Sequence, residues 1–321
     1  MEDKLLTIGI PTFNRVDVLD KSLGHLLPQT SLFEGQIEFI ISDNASTQDN
    51  QVVVDKYVQQ GYNINYVRHK VNLGMDGNFA YLYETAVGKY VWLLSDDDVL
   101  VENGLARVMS ILESGNDIGS MYISNKWFEA DIDMSAFDIF ESTKVTQYNN
   151  ALEYVERVNY WFTFLSANIV NKNLLSGKVD SQQFRGTYLA LLSWNIPAVF
   201  QGVPNVVLEN TILACRGTGQ GGYKFIQVFA INFNIILNKL IEAGYPKQIK
   251  SIINRHLIKY YFPSFILAKR QNNLTSSSYK SENWLKGLAG CYYKEFGFYK
   301  YIVTASLLPK RIYTKLISIQ K

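Results

Sequence analysis

The chain of 321 residues contains few of the residues that would indicate several other protein classes. Two cysteines, Cys215 and Cys291, are too few for a disulfide framework or a thiolate zinc site, and the three histidines lack metal-binding spacing. The longest uncharged stretch, residues 187–208, contains Pro197 and Pro204, which interrupt any membrane-spanning helix. The chain starts with Met-Glu-Asp-Lys and then a strand-like run, which predicts no signal peptide. A reducing, cytoplasmic location is therefore expected.

Charge is distributed unevenly along the chain. Residues 1–238 carry 16 Lys or Arg against 26 Asp or Glu, a net charge of −10, whereas residues 239–321 carry 15 against 3, a net charge of +12. A C-terminal part this basic predicts an anionic partner, and nucleic acid and anionic lipid are the two candidates. No nucleic-acid-binding module is recognisable, so an anionic membrane surface is the favoured interpretation.

Short apolar strands alternate with helical patterns over the first 125 residues. The predicted strands are 6–10, 37–42, 64–68, 90–94 and 119–124, and the predicted helices are 16–27, 50–60, 76–86 and 102–113. This alternation predicts an α/β fold with a doubly wound, mainly parallel sheet. Ligands of such sheets bind beyond the carboxyl ends of the strands, so functional side chains are expected there. A dehydrogenase is disfavoured because no Gly-x-Gly-x-x-Gly follows the first strand.

The remaining sequence divides into two further parts. Residues 126–222 form a mixed region with a predicted helix near 149–158 and predicted strands near 162–170 and 205–215. Residues 223–321 are mainly helical, with predicted helices over 225–243, 247–271 (interrupted at Pro263), 282–296 and 299–319. We therefore predict a nucleotide-binding half (1–125), an acceptor-binding half (126–222) and a basic helical region (223–321).

The strongest chemical signal is the run Ser-Asp-Asp-Asp at residues 95–98, directly after the fourth predicted strand. Adjacent carboxylates repel one another, and a divalent cation such as Mg²⁺ or Mn²⁺, shared with substrate phosphates, would relieve that repulsion. An acidic turn or helix start is the alternative. Three other strand ends carry the polar segments 11–15, 43–46 and 72–78, each of which is also consistent with a helix cap.

Four segments together resemble a known family: Ile-Gly-Ile-Pro-Thr-Phe-Asn-Arg (8–15), Ile-Ile-Ser-Asp-Asn-Ala-Ser-Thr (40–47), Asn-Leu-Gly-Met-Asp-Gly-Asn-Phe (72–79) and Tyr-Val-Trp-Leu-Leu-Ser-Asp-Asp-Asp (90–98). They resemble family 2 glycosyltransferases, and within that family the abequosyltransferase-like bacterial enzymes of surface-polysaccharide assembly. The resemblance is specific over residues 5–125, loose over 126–222 and weak beyond. It implies a GT-A-type fold, a divalent metal and a nucleoside-diphosphate-sugar donor.

The resemblance also implies roles for individual side chains. Donor-binding roles fall on Pro11, Thr12, Phe13, Arg15, Asp43, Asn72, Asp76, Asn78 and Asp96. Asp43 would hold the nucleobase, Asp76 and Asn78 would lie near the diphosphate, and Asp96 would face the ribose or the metal. Asp97 and Asp98 would ligate the metal, with Asp97 the first choice.

The general base that accepts the acceptor's proton is expected some 80–90 residues beyond the metal motif, as the Asp of a Glu-Asp pair in this family. Residues 178–187 contain no such pair, and Asp180 is the only carboxylate there. Asp180 is therefore the candidate base, with a solvated loop residue as the alternative. The glycine-rich segment 215–223, which includes Arg216, is expected either to cover the diphosphate or to link two domains.

The basic segment 299–321 combines aliphatic and aromatic residues with five Lys or Arg and no acid, and 260–262 adds Tyr-Tyr-Phe. Such segments lie in lipid interfaces, although packing on a helical bundle is the alternative. The combined hypothesis is a peripheral enzyme of the inner membrane face that transfers a sugar to a lipid-linked bacterial glycan, with inversion at the anomeric carbon. The second hypothesis is a non-catalytic peripheral membrane protein that binds nucleotide sugar.

Overall fold

The computed structural model describes residues 4–128, 132–137, 141–217, 223–271 and 283–313. The chain divides into two compact units, the first comprising residues 1–154 and 161–218 and the second comprising residues 155–160 and 219–321.

The first unit contains a nine-stranded sheet among the described residues. Its strands are β1 (Leu6–Thr12), β2 (Ile37–Asp43), β3 (Asn65–Arg68), β4 (Tyr90–Leu93), β5 (Val99–Leu100), β6 (Ser120–Phe128), β7 (Val145–Tyr148), β8 (Asn168–Asn171) and β9 (Asn205–Arg216). The strand order is β3-β2-β1-β4-β8-β6-β9-β5, and β7 pairs with β9. The doubly wound parallel arrangement predicted from the sequence is confirmed for β1 to β4, and the later strands make the sheet mixed.

One edge of this sheet collects the carboxyl ends of most long strands. β1, β2, β3 and β4 are parallel, β8 is antiparallel to both β4 and β6, and β9 is parallel to β6. Because two antiparallel pairings restore the original direction, β6 and β9 point the same way as β4. We call the edge where these strands end the carboxyl edge and the opposite one the amino edge.

Helices cover both faces of the sheet. The helices of the first unit are α1 (Val16–Leu26), α2 (Gln51–Gln59), α3 (Gly74–Thr85), α4 (Gly104–Leu112), α5 (Ala151–Val158, whose last residues belong to the second unit), α6 (Lys172–Leu175) and α7 (Leu192–Val199). Apolar residues of α1, α2 and α4 form one core with β1, and those of α3 and α7 form another core on the opposite face. A Cβ added at Gly9 would lie 3.2 Å from Cδ2 of Leu82, so α3 packs closely on β1 at this glycine.

One predicted strand of the first unit is largely replaced by tight turns. Segments Asn159–Thr163 and Leu165–Ala167 are 3₁₀ turns, and the strand starts only at Asn168. The amide Nδ2 of Asn168 donates to the carbonyl oxygens of Trp161, at 3.0 Å, and of Phe164, at 2.7 Å. These bonds satisfy turn carbonyls that an extended strand would offer to a neighbouring strand.

The second unit is helical in its described residues. Its helices are α8 (Phe233–Glu242), α9 (Gln248–His256), α10 (Phe262–Arg270), α11 (Trp284–Tyr292) and α12 (Thr304–Leu307), with π-helical segments at Gln227–Asn232, Leu257–Tyr261 and Phe298–Val303. Near Pro263, where an interruption was predicted, the helix changes type but does not end: the π-helical segment Leu257–Tyr261 lies between α9 and α10, and Pro263 is the second residue of α10. An aromatic core surrounds Phe225, whose ring stacks on Trp284 with centroids 4.6 Å apart.

In the described part of the chain, no helix is both long enough and apolar enough to cross a lipid bilayer.

Candidate active site

Side chains at the carboxyl edge converge on the guanidinium of Arg15. Its Nη1 atom lies 2.9 Å from Oδ1 of Asp96 and 2.9 Å from Oδ2 of Asp97. Arg15 follows β1 and the two aspartates follow β4, and the parallel pairing of these strands brings their ends together. The hydroxyl of Thr12 donates to Oδ2 of Asp96 at 2.7 Å. We call Thr12, Arg15, Asp96 and Asp97 the carboxylate cluster.

Burial decides how the charges of this cluster behave. The Asp96 side chain is only 4% exposed, and this burial raises its pKa to about 6, although the nearby Arg15 cation opposes the rise. Burial lowers the pKa of Arg15, but the two carboxylates outweigh that effect and raise it above its ordinary value. Arg15 is 37% exposed. Its outer surface can therefore bind a phosphate while its inner surface is held by aspartates.

Asp97 is the aspartate of the run that remains partly accessible. Its side chain is 15% exposed, and its Oδ1 atom accepts a hydrogen bond from the Ser95 hydroxyl at 2.6 Å. This bond orients the carboxylate through a side chain that the sequence analysis gave no role. Asp97 thus lies where the metal ligand was predicted, at the end of β4.

Asp98 points away from the cluster. Its Oδ2 atom accepts from the Ser166 hydroxyl at 2.5 Å and its Oδ1 atom from the backbone N–H of Arg216 at 3.3 Å. Burial, reinforced by Asp97, raises its pKa to about 7. The structure therefore places Asp98 in the protein interior, where it ties the end of β4 to β9, rather than beside Asp97 as a second metal ligand.

Asp43, predicted to hold the nucleobase, is fully buried at the end of β2. Its carboxylate accepts from the backbone N–H of Ser46 at 2.8 Å, from Nδ2 of Asn50 at 3.0 Å and from the hydroxyl of Tyr66 at 2.7 Å. Burial would raise its pKa, but these hydrogen bonds outweigh burial and lower the pKa. Asp43 therefore accepts three hydrogen bonds from within the protein, and these bonds hold the loop after β2 in place.

The loop after β2 also contacts the loop after β1. Asn14, which has a left-handed φ of 53°, accepts through its side chain from the backbone N–H of Thr47 at 2.7 Å. Phe13 beside it is 43% exposed, and Pro11 is half-buried. The exposed ring of Phe13, next to this contact between the two loops, provides a surface on which a nucleobase can stack.

The two predicted amide ligands join α3 to the strands. Asn72 accepts from Nδ2 of Asn44 at 3.0 Å, and Asn78 accepts from the Ser42 hydroxyl at 2.5 Å while donating to the Ser42 carbonyl at 3.1 Å. Asn78 is buried, so its amide is used within the fold. Asn72 lies at the carboxyl edge in the loop that leads into α3.

Asp76, predicted near the diphosphate, instead binds a neighbouring backbone segment. Its Oδ2 atom accepts from the N–H of Tyr188 at 2.8 Å and its Oδ1 atom from the N–H of Ala190 at 3.0 Å. Burial raises its pKa, and backbone N–H groups of residues 186–190 oppose that rise. A carboxylate surrounded by four backbone donors positions residues 186–190 and has little capacity left for a ligand.

Asp180, the predicted base, lies at the other end of α3. The helix starts at the carboxyl edge and spans twelve residues, about 18 Å at 1.5 Å per residue. Glu84 at its far end accepts from the Ser181 hydroxyl and from Nε2 of Gln182, at 2.8 Å for the latter. Asp180 accepts from the N–H of Gln182 at 2.9 Å and lines a separate cavity of about 470 Å³. The structure does not bring it to the carboxylate cluster.

An aromatic patch at the carboxyl edge was missed by the sequence analysis. The ring centroid of Trp127, at the end of β6, lies 4.8 Å from that of Phe164 and 6.2 Å from that of Trp161. Trp127 is 45% exposed. Phe164 is two residues from Ser166, which binds Asp98, so the patch adjoins the aspartate run. The dense aromatic segment Trp-Phe-Thr-Phe at 161–164 was the available signal, but it was interpreted as a strand.

The glycine-rich segment predicted to cover the diphosphate lies partly outside the described residues. Cys215 and Arg216 end β9, and residues 218–222 are not described.

The family model described as glycosyl transferase family 2 matches residues 7–164, which contain the entire carboxylate cluster. These residues belong to glycosyl transferase family 2. The abequosyltransferase RfbV of Salmonella typhimurium is 39% identical over 116 residues, covering 36% of this chain and 34% of that protein. The GalNAc(5)-diNAcBac-PP-undecaprenol beta-1,3-glucosyltransferase of Campylobacter jejuni is 31% identical over 111 residues, covering 34% of this chain and 35% of that protein. The matches thus span about a third of the length of these relatives, and the predicted family is confirmed.

Solved structures resemble the chain over most of its length. Staphylococcus aureus TarS 1–349 in complex with UDP-GlcNAc has a TM-score of 0.59 at 14% identity, covering 96% of this chain and 82% of that one. The mannosyltransferase PcManGT from Pyrobaculum calidifontis, in complex with GDP-Man and Mn²⁺, has a TM-score of 0.53 at 14% identity, covering 95% and 87%. These likenesses confirm the GT-A fold predicted from the sequence.

Proposed function

We propose that the protein transfers a sugar from a nucleoside-diphosphate-sugar donor to a hydroxyl group of a bacterial surface glycan. The observation that carries this proposal is the carboxylate cluster, a half-exposed arginine held by two aspartates at the carboxyl edge of a family 2 domain. Open α/β sheets bind ligands at this edge. A cation there can neutralise the charge that grows on a diphosphate leaving group.

The donor would lie across the ends of β1, β2 and β4. Phe13 would stack on the base, and Arg15 would contact a phosphate. Asp43 would act by holding the loop between residues 44 and 50 in place, because its oxygens already have three protein donors. Two solved structures of similar fold contain UDP-GlcNAc and GDP-Man, respectively. They support a nucleotide-sugar donor for this protein but do not identify its base.

A divalent metal fits the chemistry of this cluster. In the described residues, no group of three or more His, Cys, Asp or Glu side chains is arranged to hold a metal ion. Mg²⁺ and Mn²⁺ nevertheless often bind through one or two carboxylates together with substrate phosphates. Asp97, with Asp96 beside it, would hold the ion. When bound, the ion supplies positive charge to the diphosphate leaving group.

The acceptor would approach from the side of β6 and β9. The exposed face of Trp127 offers an apolar surface to a sugar ring, and Asp76 fixes residues 186–190 near the start of α3. Asp180 stays the predicted base from the sequence, although its position at the amino edge gives it no contact with this region. Inversion at the anomeric carbon is part of the same proposal and depends on that base.

The distant position of Asp180 also supports the second candidate function. Residues 181–195 contain no Asp or Glu, so the segment held by Asp76 offers no carboxylate base. A protein that binds nucleotide sugar without turnover is consistent with this arrangement.

A lipid-linked acceptor and a peripheral position on the inner face of the bacterial membrane complete the proposal. The support is the excess of 15 Lys or Arg over 3 acids in residues 239–321 and the name of the Campylobacter relative, a glucosyltransferase that acts on a PP-undecaprenol-linked glycan. Anionic headgroups attract such a basic segment.

Calorimetric titration of UDP, GDP, CDP and dTDP, with and without Mn²⁺, tests the donor site. We expect one nucleotide to bind in a metal-dependent way, Asp97→Asn to abolish that dependence, and the exposed control Glu113→Gln to behave as wild type. Binding of none of them by the wild-type protein would refute the donor site. A release assay with the matching nucleotide sugar then separates the two functions, because only a transferase consumes the donor when a glycan acceptor is added.

A further inference from the structure

The turn after α11 exposes an unusual concentration of aromatic side chains. Phe296 is 78% exposed, Tyr293 is 53% exposed and Tyr299 is 52% exposed, all within seven residues of the second unit. Single exposed apolar side chains are common, but a contiguous group marks a surface that contacts something apolar. We call these three residues the aromatic turn.

Lysine side chains accompany the aromatic turn. Nζ of Lys294 lies 5.6 Å from the ring centroid of Tyr293, and Nζ of Lys300 lies 5.2 Å from that of Tyr301. Aromatic rings beside lysines are typical of protein surfaces at a lipid interface, where rings enter the acyl boundary and ammonium groups stay at the headgroups.

A basic cavity of about 570 Å³ opens beside the same turn. Its lining includes Lys247, which precedes α9, and Lys250 and Arg255 of α9. The lining also includes Glu295 and Gly297, the two neighbours of Phe296. The apolar projection and the cationic cavity are therefore adjacent parts of one surface.

Glycine at position 297 permits this arrangement. A Cβ added there would lie 3.0 Å from Cγ2 of Ile258, so the turn packs directly against the helical segment that follows α9. The cavity wall and the aromatic turn consequently have a fixed relation within the second unit, which a flexible tail would lack.

The two lysines are the cations of the cavity that can bind a ligand most readily. Arg255 is already paired with Glu156, whereas Lys250 donates to Oδ1 of Asn238 at 2.7 Å and retains further N–H donors. A phosphate in the cavity would add the anionic partner that Lys247 and Lys250 attract.

We infer that this surface docks on an anionic phospholipid membrane, with the aromatic turn inserted into the interface and a headgroup phosphate bound between Lys247 and Lys250. The inference rests on the proposed membrane location and specifies which residues make the contact. An apolar projection beside a cavity lined by cations matches a lipid, in which the apolar chains adjoin the anionic headgroup. The contact includes only the first residues of the basic segment 299–321, and Phe262 of the predicted aromatic segment 260–262 is fully buried.

Co-sedimentation of the full chain with vesicles tests the inference. We expect binding to phosphatidylcholine vesicles containing about one-third phosphatidylglycerol, and little binding to phosphatidylcholine alone. Phe296→Asp should weaken binding on the order of tenfold, since it removes a buried ring from the interface. Lys247→Glu with Lys250→Glu should weaken it by at least a comparable factor and reduce its salt dependence.

Matched controls separate this surface from general effects. Leu32→Asp replaces an apolar side chain of the first unit that is 75% exposed. Lys144→Glu replaces an exposed lysine of the same unit. Both should bind vesicles as wild type does. Equal binding of the wild-type protein to neutral and anionic vesicles would overturn the inference, and so would unchanged vesicle binding by both surface variants. The inference would also fail if inorganic phosphate inhibited vesicle binding while the Phe296 variant bound vesicles as wild type does.

Nucleotide titration of the same variants distinguishes this inference from the proposed function. The surface variants should retain wild-type nucleotide affinity, because they lie in the second unit and the carboxylate cluster lies in the first. Vesicle binding without any nucleotide binding would refute the donor site and leave the lipid surface supported.

Discussion

Replacing Arg15 by methionine should destabilise the first unit by leaving a buried carboxylate without its cation. Asp96 is 4% exposed and already has its pKa raised to about 6 by burial, with Arg15 as the principal opposing influence. In Arg15→Met the pKa of Asp96 should rise further. Below the wild-type pKa of about 6, Asp96 is neutral in both folded proteins, so the loss of stability relative to wild type is small there and grows as the pH rises from about 6 towards the higher folded-state pKa of the variant.

The size of this effect follows from the exposure of the two partners. Removing one member of a fully buried ion pair costs about 3–5 kcal/mol. Arg15 is 37% exposed, so solvent screening reduces the expected loss to about 1–3 kcal/mol at pH 8. The double variant Arg15→Met with Asp96→Asn removes both charges and should recover to within about 1 kcal/mol of the wild-type stability.

Urea unfolding at pH 5 and pH 8, followed by tryptophan fluorescence, measures these differences. Nucleotide titration of the same proteins provides the functional half of the experiment, because both the single and the double variant lack the proposed phosphate-binding cation. Equal stability of wild type and Arg15→Met at pH 8, or no recovery in the double variant, would refute the assignment of Arg15 as the cation that stabilises Asp96.

Three further predictions concern other parts of the site. Asp98→Asn should raise the unfolding free energy at pH 8 by about 1–2 kcal/mol and have little effect below about pH 4, because burial disfavours the charged form; a stability gain independent of pH would contradict this. Asp76→Ala should cost about 2–4 kcal/mol by leaving buried N–H groups unpaired, and amide hydrogen exchange should accelerate at Tyr188 and Ala190; unchanged exchange would refute the clamp. Trp127→Ala should raise the KM for the glycan acceptor on the order of tenfold through loss of the aromatic surface, with nucleotide affinity unchanged; a loss confined to nucleotide binding would assign Trp127 to the donor instead.

The first half of the fold could be predicted from the sequence because its information is local. Strands such as Leu6–Thr12 and Ile37–Asp43 are short apolar runs that end in polar residues, and the helices between them have regular apolar spacing. Alternation of this kind has few structural solutions besides a parallel sheet. The location of the carboxylate cluster followed from the same reasoning, since Arg15 and Asp96 both follow predicted strands.

The roles of individual carboxylates could not be predicted, because they depend on partners far away in sequence. Asp76 meets the backbone of residues 188 and 190, and Asp98 meets Ser166 and Arg216. No pattern within a few residues of either aspartate distinguishes it from one that faces a ligand. The position of β8 decides these contacts, since it pairs with β4 and β6 although neither precedes it directly.

The antiparallel direction of β8 has a practical consequence for spectroscopy. The chain that leaves β8 runs along the amino edge, so residues 172–183 lie a helix length from the carboxylate cluster. Ser176 is exposed there, Cys215 is fully buried, and burial raises the pKa of the half-buried Cys291 thiol. A cysteine substituted for Ser176, in a chain with Cys291 replaced by serine, would therefore be the one reactive thiol among the described residues. A fluorophore attached to it would label the protein without disturbing the donor pocket.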